Sequence, residues 1–148
     1  MKNRILNYIH FVKNQFFLIK VKTKFYNRLK IAISALVNIF LKPIQIFDKN
    51  FYFKMRYSLV SSLYKDVIIE LNNKKFKIRD DIDLLTILAD EKINNFFKED
   101  VKIFLNIGAH IGKYSILYSD YFEKIYAFEP EPNNFECLKE NIKINNLE

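Results

Sequence analysis

Glycine occurs only twice in the 148 residues, at Gly108 and Gly112, and the two copies stand four positions apart. Average usage near 7% would place about ten in a chain of this length. Glycine costs backbone entropy inside helices and strands, so a chain that otherwise avoids it needs a local reason to put both copies in one stretch. The flanking pattern supplies that reason. Residues 101–107 (VKIFLNI) form an almost unbroken apolar run of strand length, and after the glycines Tyr114, Leu117, Tyr118 and Tyr121 follow an i, i+3, i+4, i+7 spacing. Both glycines therefore fall in a strand-to-helix turn, where the missing Cβ allows a sharp bend and close approach of a ligand to the backbone. The lack of alternation in residues 101–107 predicts a strand covered on both faces.

A second apolar run, residues 124–128, closes at Glu129. Pro130-Glu131-Pro132 then halts the extended chain, ahead of a helix marked by Phe135, Leu138 and Ile142 that fades at Asn145-Asn146. The order β-α-β-α implies a right-handed crossover and a parallel pair. Glu129 lies 21 residues after Gly108 at the end of the adjacent strand. There a carboxylate can accept hydrogen bonds from both hydroxyls of a ribose, while the helix start offers unpaired N–H groups to a ligand carboxylate. The pair of features describes a nucleoside-containing cofactor. A dinucleotide loop needs G-x-G-x-x-G, whereas this one reads G-x-x-x-G with Ala109 after the first glycine. A nicotinamide-dependent oxidoreductase is therefore disfavoured.

FLNIGAHIGKYSILYS followed by IYAFEPEPNNFECLKENIKINNL resembles the N-terminal half of the FkbM-type methyltransferases, which use S-adenosylmethionine on a Rossmann-like methyltransferase fold. The resemblance is close over residues 104–147, weaker over residues 67–97, and absent from the first 60. It rests on a G-A-N-x-G loop, matched at Gly108, Ala109 and Gly112, and on an E-P-x-P run, matched at Glu129, Pro130 and Pro132. It implies that Gly108, Ala109, His110 and Gly112 border the methionine part of the cofactor, that Glu129 holds the ribose and that Pro130 lies near the adenine. Two positions depart from the family pattern. Asn106 stands where an acid is common and would accept from the cofactor's amino group without the charge term, and His110 replaces the usual Asn. The activity implied is methyl transfer to a hydroxyl of a sugar, a lipid-linked glycan or a small molecule.

Upstream, residues 67–71 and 75–79 read as a hairpin turning through Asn72, Asn73 and Lys74. Asp80, Asp81 and Asp83 offer cap and first-turn acids to a helix carrying Leu84, Leu85, Leu88, Ile93 and Phe96. Residues 1–60 differ in charge. They hold twelve Lys and Arg against one acid, Asp48, a net of +11, while residues 61–148 hold twelve basic and sixteen acidic residues, a net of −4. Ile5, Ile9, Val12, Phe16 and Ile19 recur at helical spacing with Lys2, Lys13, Lys20 and Lys24 on an adjacent side, the pattern of a basic amphipathic helix. The longest uncharged run, residues 31–41, is too short for a bilayer crossing of about 20 residues, and a secretory signal fits poorly because Lys13 interrupts the first apolar stretch. Packing on the following domain or on a second subunit is the leading expectation for this segment. Contact with an anionic membrane surface comes second, and nucleic-acid binding is disfavoured. A cytoplasmic location, peripheral to the inner face of the membrane under the second reading, follows from these patterns.

One cysteine, Cys137, excludes an internal disulfide, and the spacing of Cys and His offers no metal site. The expected architecture is thus a basic helical segment (1–60) followed by part of a Rossmann-like domain (61–148). A doubly wound sheet has roughly six strands, and residues 101–148 supply two parallel ones. The expectation is a partial domain, from truncation, a split gene or a fragment, with a partner chain carrying the remainder. On that reading no catalytic residue is named, and a non-catalytic interaction or membrane-peripheral protein retaining half of the fold is the alternative.

Overall fold

The computed structural model of the chain describes residues 2–89 and 101–147. Helices α1 (Lys2–Leu18), α2 (Phe25–Leu41), α3 (Ile44–Phe47) and α4 (Lys49–Leu63) precede a hairpin of β2 (Val67–Leu71) and β3 (Lys74–Ile78). A two-residue strand between α1 and α2, β1 (Lys22–Thr23), joins that hairpin antiparallel to β2, in the order β1-β2-β3. The hairpin turn is the pair Asn72-Asn73, with φ of 50° and 62°, and Leu71 faces Lys74 across it. Two successive left-handed residues are what a tight twisted hairpin requires, and asparagine tolerates them. Helix α5 (Asp81–Leu88) follows, its N-cap Asp80 accepting from the N–H groups of Ile82 at 2.9 Å and Asp83 at 2.8 Å. Ile93 and Phe96, expected on the same helix, lie outside the described residues.

The remaining elements are β4 (Ile103–Ile107), α6 (Lys113–Leu117), β5 (Lys124–Phe128) and α7 (Pro132–Ile144). β4 and β5 pair in parallel, with Ile103 opposite Lys124 and Ile107 opposite Phe128. The chain is thus a mixed α/β fold with two small sheets, one of them a parallel β-α-β unit. One buried apolar cluster runs through it, from Leu18, Ile31 and Tyr64 through Phe76 and Ile78 of the hairpin to Ile111 and Ile116 of the β-α-β unit. Side chains of α7 close the outer edge of β3. Asn141 accepts from the Lys77 N–H at 2.6 Å and donates to the Lys77 carbonyl at 3.1 Å, and Asn145, one turn on, does the same for Lys75 at 2.8 and 2.6 Å. The two asparagines occupy the edge that a further strand would otherwise take.

Several expectations need correction. Among the described residues β4 is not covered on both faces: Ile103, Leu105 and Ile107 are 53%, 57% and 82% exposed, while Phe104 and Asn106 on its other side are half-buried and buried, Asn106 against Ser115 of α6. α6 ends at Leu117 instead of running on to Tyr121. Its tyrosines stack on one another, with Tyr114 and Tyr118 ring centroids 6.3 Å apart, and the inward anchor is Ile116. On α1, Ile9 and Phe16 face solvent while Gln15 and Leu18 are buried. Gln15 turns inward because its carbonyl accepts from Asn38 of α2 at 3.1 Å. Ile19, Lys20 and Lys24 do not share that helix, which ends at Leu18 ahead of β1. Phe135 of α7 is exposed, whereas Cys137 and Leu138 are buried as core. Among the described residues no helix is long and apolar enough to cross a membrane.

Candidate functional site

At the carboxyl ends of β4 and β5 the chain makes a loop of five residues. The N–H groups of Gly108 and Ala109 both donate to the Phe128 carbonyl, at 2.8 and 3.0 Å, which pins the loop to the last residue of β5. Three of its residues are left-handed: Gly108 (φ 77°), His110 (φ 52°) and Gly112 (φ 93°). The two glycines serve different ends. A Cβ on Gly112 would stand 2.5 Å from Leu138 Cδ1 and 3.1 Å from Ile116 Cδ1, so the bare backbone lets α7 close on the loop. A Cβ on Gly108 would meet nothing within 4 Å, which leaves the strand end open to an approaching molecule.

His110 adopts a left-handed conformation that is uncommon outside glycine, though histidine takes it more readily than most residues. Its own N–H donates to Glu129 Oε2 at 2.7 Å and so holds it there. Oε1 of the same carboxylate accepts from the Glu131 N–H at 3.0 Å and from the Asn134 amide at 3.3 Å. Burial works against the charge on Glu129, but the N–H groups of Glu131 and His110 and the Asn134 amide outweigh it and keep the carboxyl below its ordinary range. One acid therefore ties together the glycine loop, the end of β5 and the start of α7.

A second charged group braces the loop from α5. Asp83, almost wholly buried, is gripped by Arg79 through Nε at 2.8 Å and Nη2 at 2.9 Å, and stands 3.5 Å from His110 Nε2. Arg79 Nη2 also donates to Asn134 Oδ1 at 2.7 Å. Arg79, Asp83 and Asn134 were not expected as site residues. Their only sequence signal is the i, i+4 spacing of the first two, which by itself reads as a local pair.

The remaining positions fall into place around this frame. Ala109 is buried within the loop, and Pro130 is exposed directly after Glu129. Asn106 is buried below the loop and donates to Ser115 Oγ at 2.8 Å, so its amide is turned towards α6. Glu131 is exposed and caps α7, accepting from the Asn134 N–H at 2.7 Å. Burial pushes the Cys137 thiol up to about 11, which keeps it a neutral core side chain. His10 is exposed. Residues 108–112 and Glu129 do not line the concavities of 360, 580 and 780 Å³, although Arg79 and Glu131 line the last of these and Ser115 the first; in the loop Gly108 is exposed while Ala109, Ile111 and Gly112 are buried. Comparison with protein-family models, with curated proteins and with solved structures finds no match to this chain.

Proposed function

We propose that β4, α6, β5 and α7 are the cofactor-binding half of an S-adenosylmethionine-dependent methyltransferase of Rossmann-like fold, the family that residues 104–147 resemble. The observation that carries this reading is the bond from the His110 N–H to Glu129, which brings the glycine loop and the acid to one strand end. Open α/β sheets bind their ligands there, outside the carboxyl ends of parallel strands. The residues fit the cofactor. Open space over Gly108 admits the methionine part against the backbone of Gly108 and Ala109, with His110 and Gly112 completing the turn. Glu129 already accepts three hydrogen bonds, and a carboxylate offers about four positions. Gripping two ribose hydroxyls therefore displaces the longest bond, that from Asn134. Pro130 borders the adenine, and Asn106 supports the loop from below through Ser115.

The bound cofactor would supply an electrophilic methyl group on a sulfonium. This chain's part is to orient that group by fixing the ribose and the methionine backbone, and such positioning is a large share of the acceleration in a displacement reaction. The acceptor class is a hydroxyl of a sugar, a lipid-linked glycan or a small molecule. The bare face of β4 and β5 favours a second reading, a non-catalytic protein that uses this half-fold for interaction.

Calorimetric titration separates the two. S-adenosylhomocysteine should bind more tightly than NAD, and Glu129→Ala should weaken it at least about tenfold, since a charge-assisted hydrogen bond is worth about 1.5–3 kcal/mol. Glu131→Ala should leave affinity unchanged while lowering the melting temperature through loss of the α7 cap. Tighter binding of NAD, or equal effects of the two substitutions, would overturn the assignment, and no binding of either compound would favour the interaction reading.

A further inference from the structure

Helix α2 is apolar on the wrong side. Its buried residues are Asn27, Ile31, Ser34, Ala35, Asn38 and Leu41, half of them polar. The opposite side carries Phe25, Leu29, Ile33, Leu36 and Phe40, which are 82%, 47%, 41%, 49% and 76% exposed. These five positions, spaced four, four, three and four apart, form one stripe along a helix of 17 residues, about 25 Å long. Scattered exposed leucines need no explanation, but a continuous stripe of large side chains does.

The polar groups on the inner side keep α2 from rolling that stripe inward. Asn38 donates to Gln15 Oε1 at 3.1 Å and Asp81 Oδ2 at 2.9 Å and accepts from Arg56 Nε at 3.0 Å, while Asn27 donates to the Ile68 carbonyl at 3.2 Å. Rolling the helix would strip buried partners from each of them, including the ion pair of Arg56 with Asp81. The outward stripe is thus specified by the fold.

We propose that this face of α2 docks on an anionic lipid bilayer, lying in the plane of the headgroups. Charge selects the occupant. Residues 1–60 carry twelve basic side chains against one acid. Arg28 and Lys30 flank the stripe on its two sides, and Lys24 precedes it. A second copy seated on this face would bring its Lys24, Arg28 and Lys30 towards the same cations of the first, within a screening length of about 8 Å. An anionic headgroup layer is complementary to it. The order of side chains also suits a bilayer surface, with aliphatic residues in the middle and phenylalanines at the two ends. Nucleic acid would need stacking or base-edge groups that Leu29, Ile33 and Leu36 do not provide. The proposal is independent of the methyltransferase reading.

The test is co-sedimentation of the full chain with vesicles of phosphatidylserine and phosphatidylcholine, against vesicles of phosphatidylcholine alone. Binding should require the anionic lipid and fall with salt. Phe25→Gln with Phe40→Gln should weaken it at least about tenfold, and Lys24→Gln and Arg28→Gln should each weaken it about fivefold. Leu105→Ser, on the exposed face of β4, should leave it unchanged. All five positions are exposed, so these variants should fold, and circular dichroism checks this. The chain has no tryptophan, so Phe25→Trp supplies a sole reporter whose emission should shift to the blue on anionic vesicles and be quenched by brominated lipid. Unshifted emission at saturating lipid overturns the proposal. So do vesicle binding indifferent to the phenylalanine pair, a dimer that the same pair breaks, or an oligonucleotide complex formed without vesicle binding.

Discussion

Glu129 holds the loop through bonds that its ionised form makes, to the N–H groups of His110 and Glu131 and to Asn134. Burial opposes the charge, the hydrogen bonds outweigh it, and the folded carboxyl titrates below its unfolded value. The stabilisation is therefore fully present above the unfolded carboxylate range near 4.3 and is lost as pH falls through the depressed folded value. Glu129→Gln should flatten the acid limb of stability, read as urea midpoints between about pH 5 and pH 2. An unchanged limb would mean that the carboxylate does not secure the loop. The glycines can be separated in the same way. Both sit at positive φ, a conformation that costs another residue about 1–2 kcal/mol, but only Gly112 also faces Leu138 and Ile116 at close range. Gly112→Ala should destabilise more than Gly108→Ala in denaturant titrations, whereas Gly108→Ala should act mainly on nucleotide affinity.

Between elements, the cross-links with the largest consequences are buried and polar. Arg56 of α4 and Asp81 of α5 form an ion pair with side chains only 16% and 6% exposed, joined by Asn38 of α2, which also bonds Gln15 of α1. Desolvation opposes the charge on Arg56, yet the neighbouring Asp81 carboxylate raises its pKa overall. Such a pair adds little net stability over an apolar replacement, but removing one partner strands the other in the core at a cost of about 3–5 kcal/mol. Arg56→Ala should show that loss in urea unfolding. Lys102 and Glu123 also pair, at 2.6 Å, but with side chains 71% and 66% exposed, so Lys102→Ala should change stability by no more than about 1 kcal/mol. If the two variants behave alike, the helical segment is not anchored by this network. Asn141 and Asn145 do comparable service between α7 and β3, satisfying an edge without a strand.

Across the whole molecule, apolar side chains divide into those the chain buries and those it leaves bare, which lie on α1, α3 and α4 as well as on the α2 stripe and the open side of the parallel pair, where Leu105 and Phe128 are 57% and 56% exposed. Parallel sheets are ordinarily covered on both faces, and among the described residues this side is bare. The division predicts opposite responses to similar substitutions. Ile116→Ala empties a fully buried position and should cost about 2–5 kcal/mol. Leu105→Ser should change the stability of this chain by less than about 0.5 kcal/mol and reduce its binding of a hydrophobic dye. A large loss from Leu105→Ser would show that the face is covered in solution.

Local chemistry was enough to read much of this from the residues in order. The hairpin, the cap at Asp80, strand β5, the start of α7 at Pro132 and the strand-to-helix turn at the glycines all depend on neighbours within a few positions, and each stands close to where its pattern puts it. The approach of Glu129 to the loop was legible too, because a β-α-β crossover fixes where the second strand ends relative to the first. What the order of residues left open was decided by contacts between distant segments. Gln15 and Asn38 turn inward because they find each other, and Asn38 also finds Asp81, which turns α1 away from the face that its apolar spacing predicts. β1 exists only because β2 offers it an edge. Asp83, held by Arg79, reaches His110 only when α5 packs beside the loop. Periodicity reports the burial that a side chain prefers, and hydrogen-bond partners far along the chain decide the burial it is given.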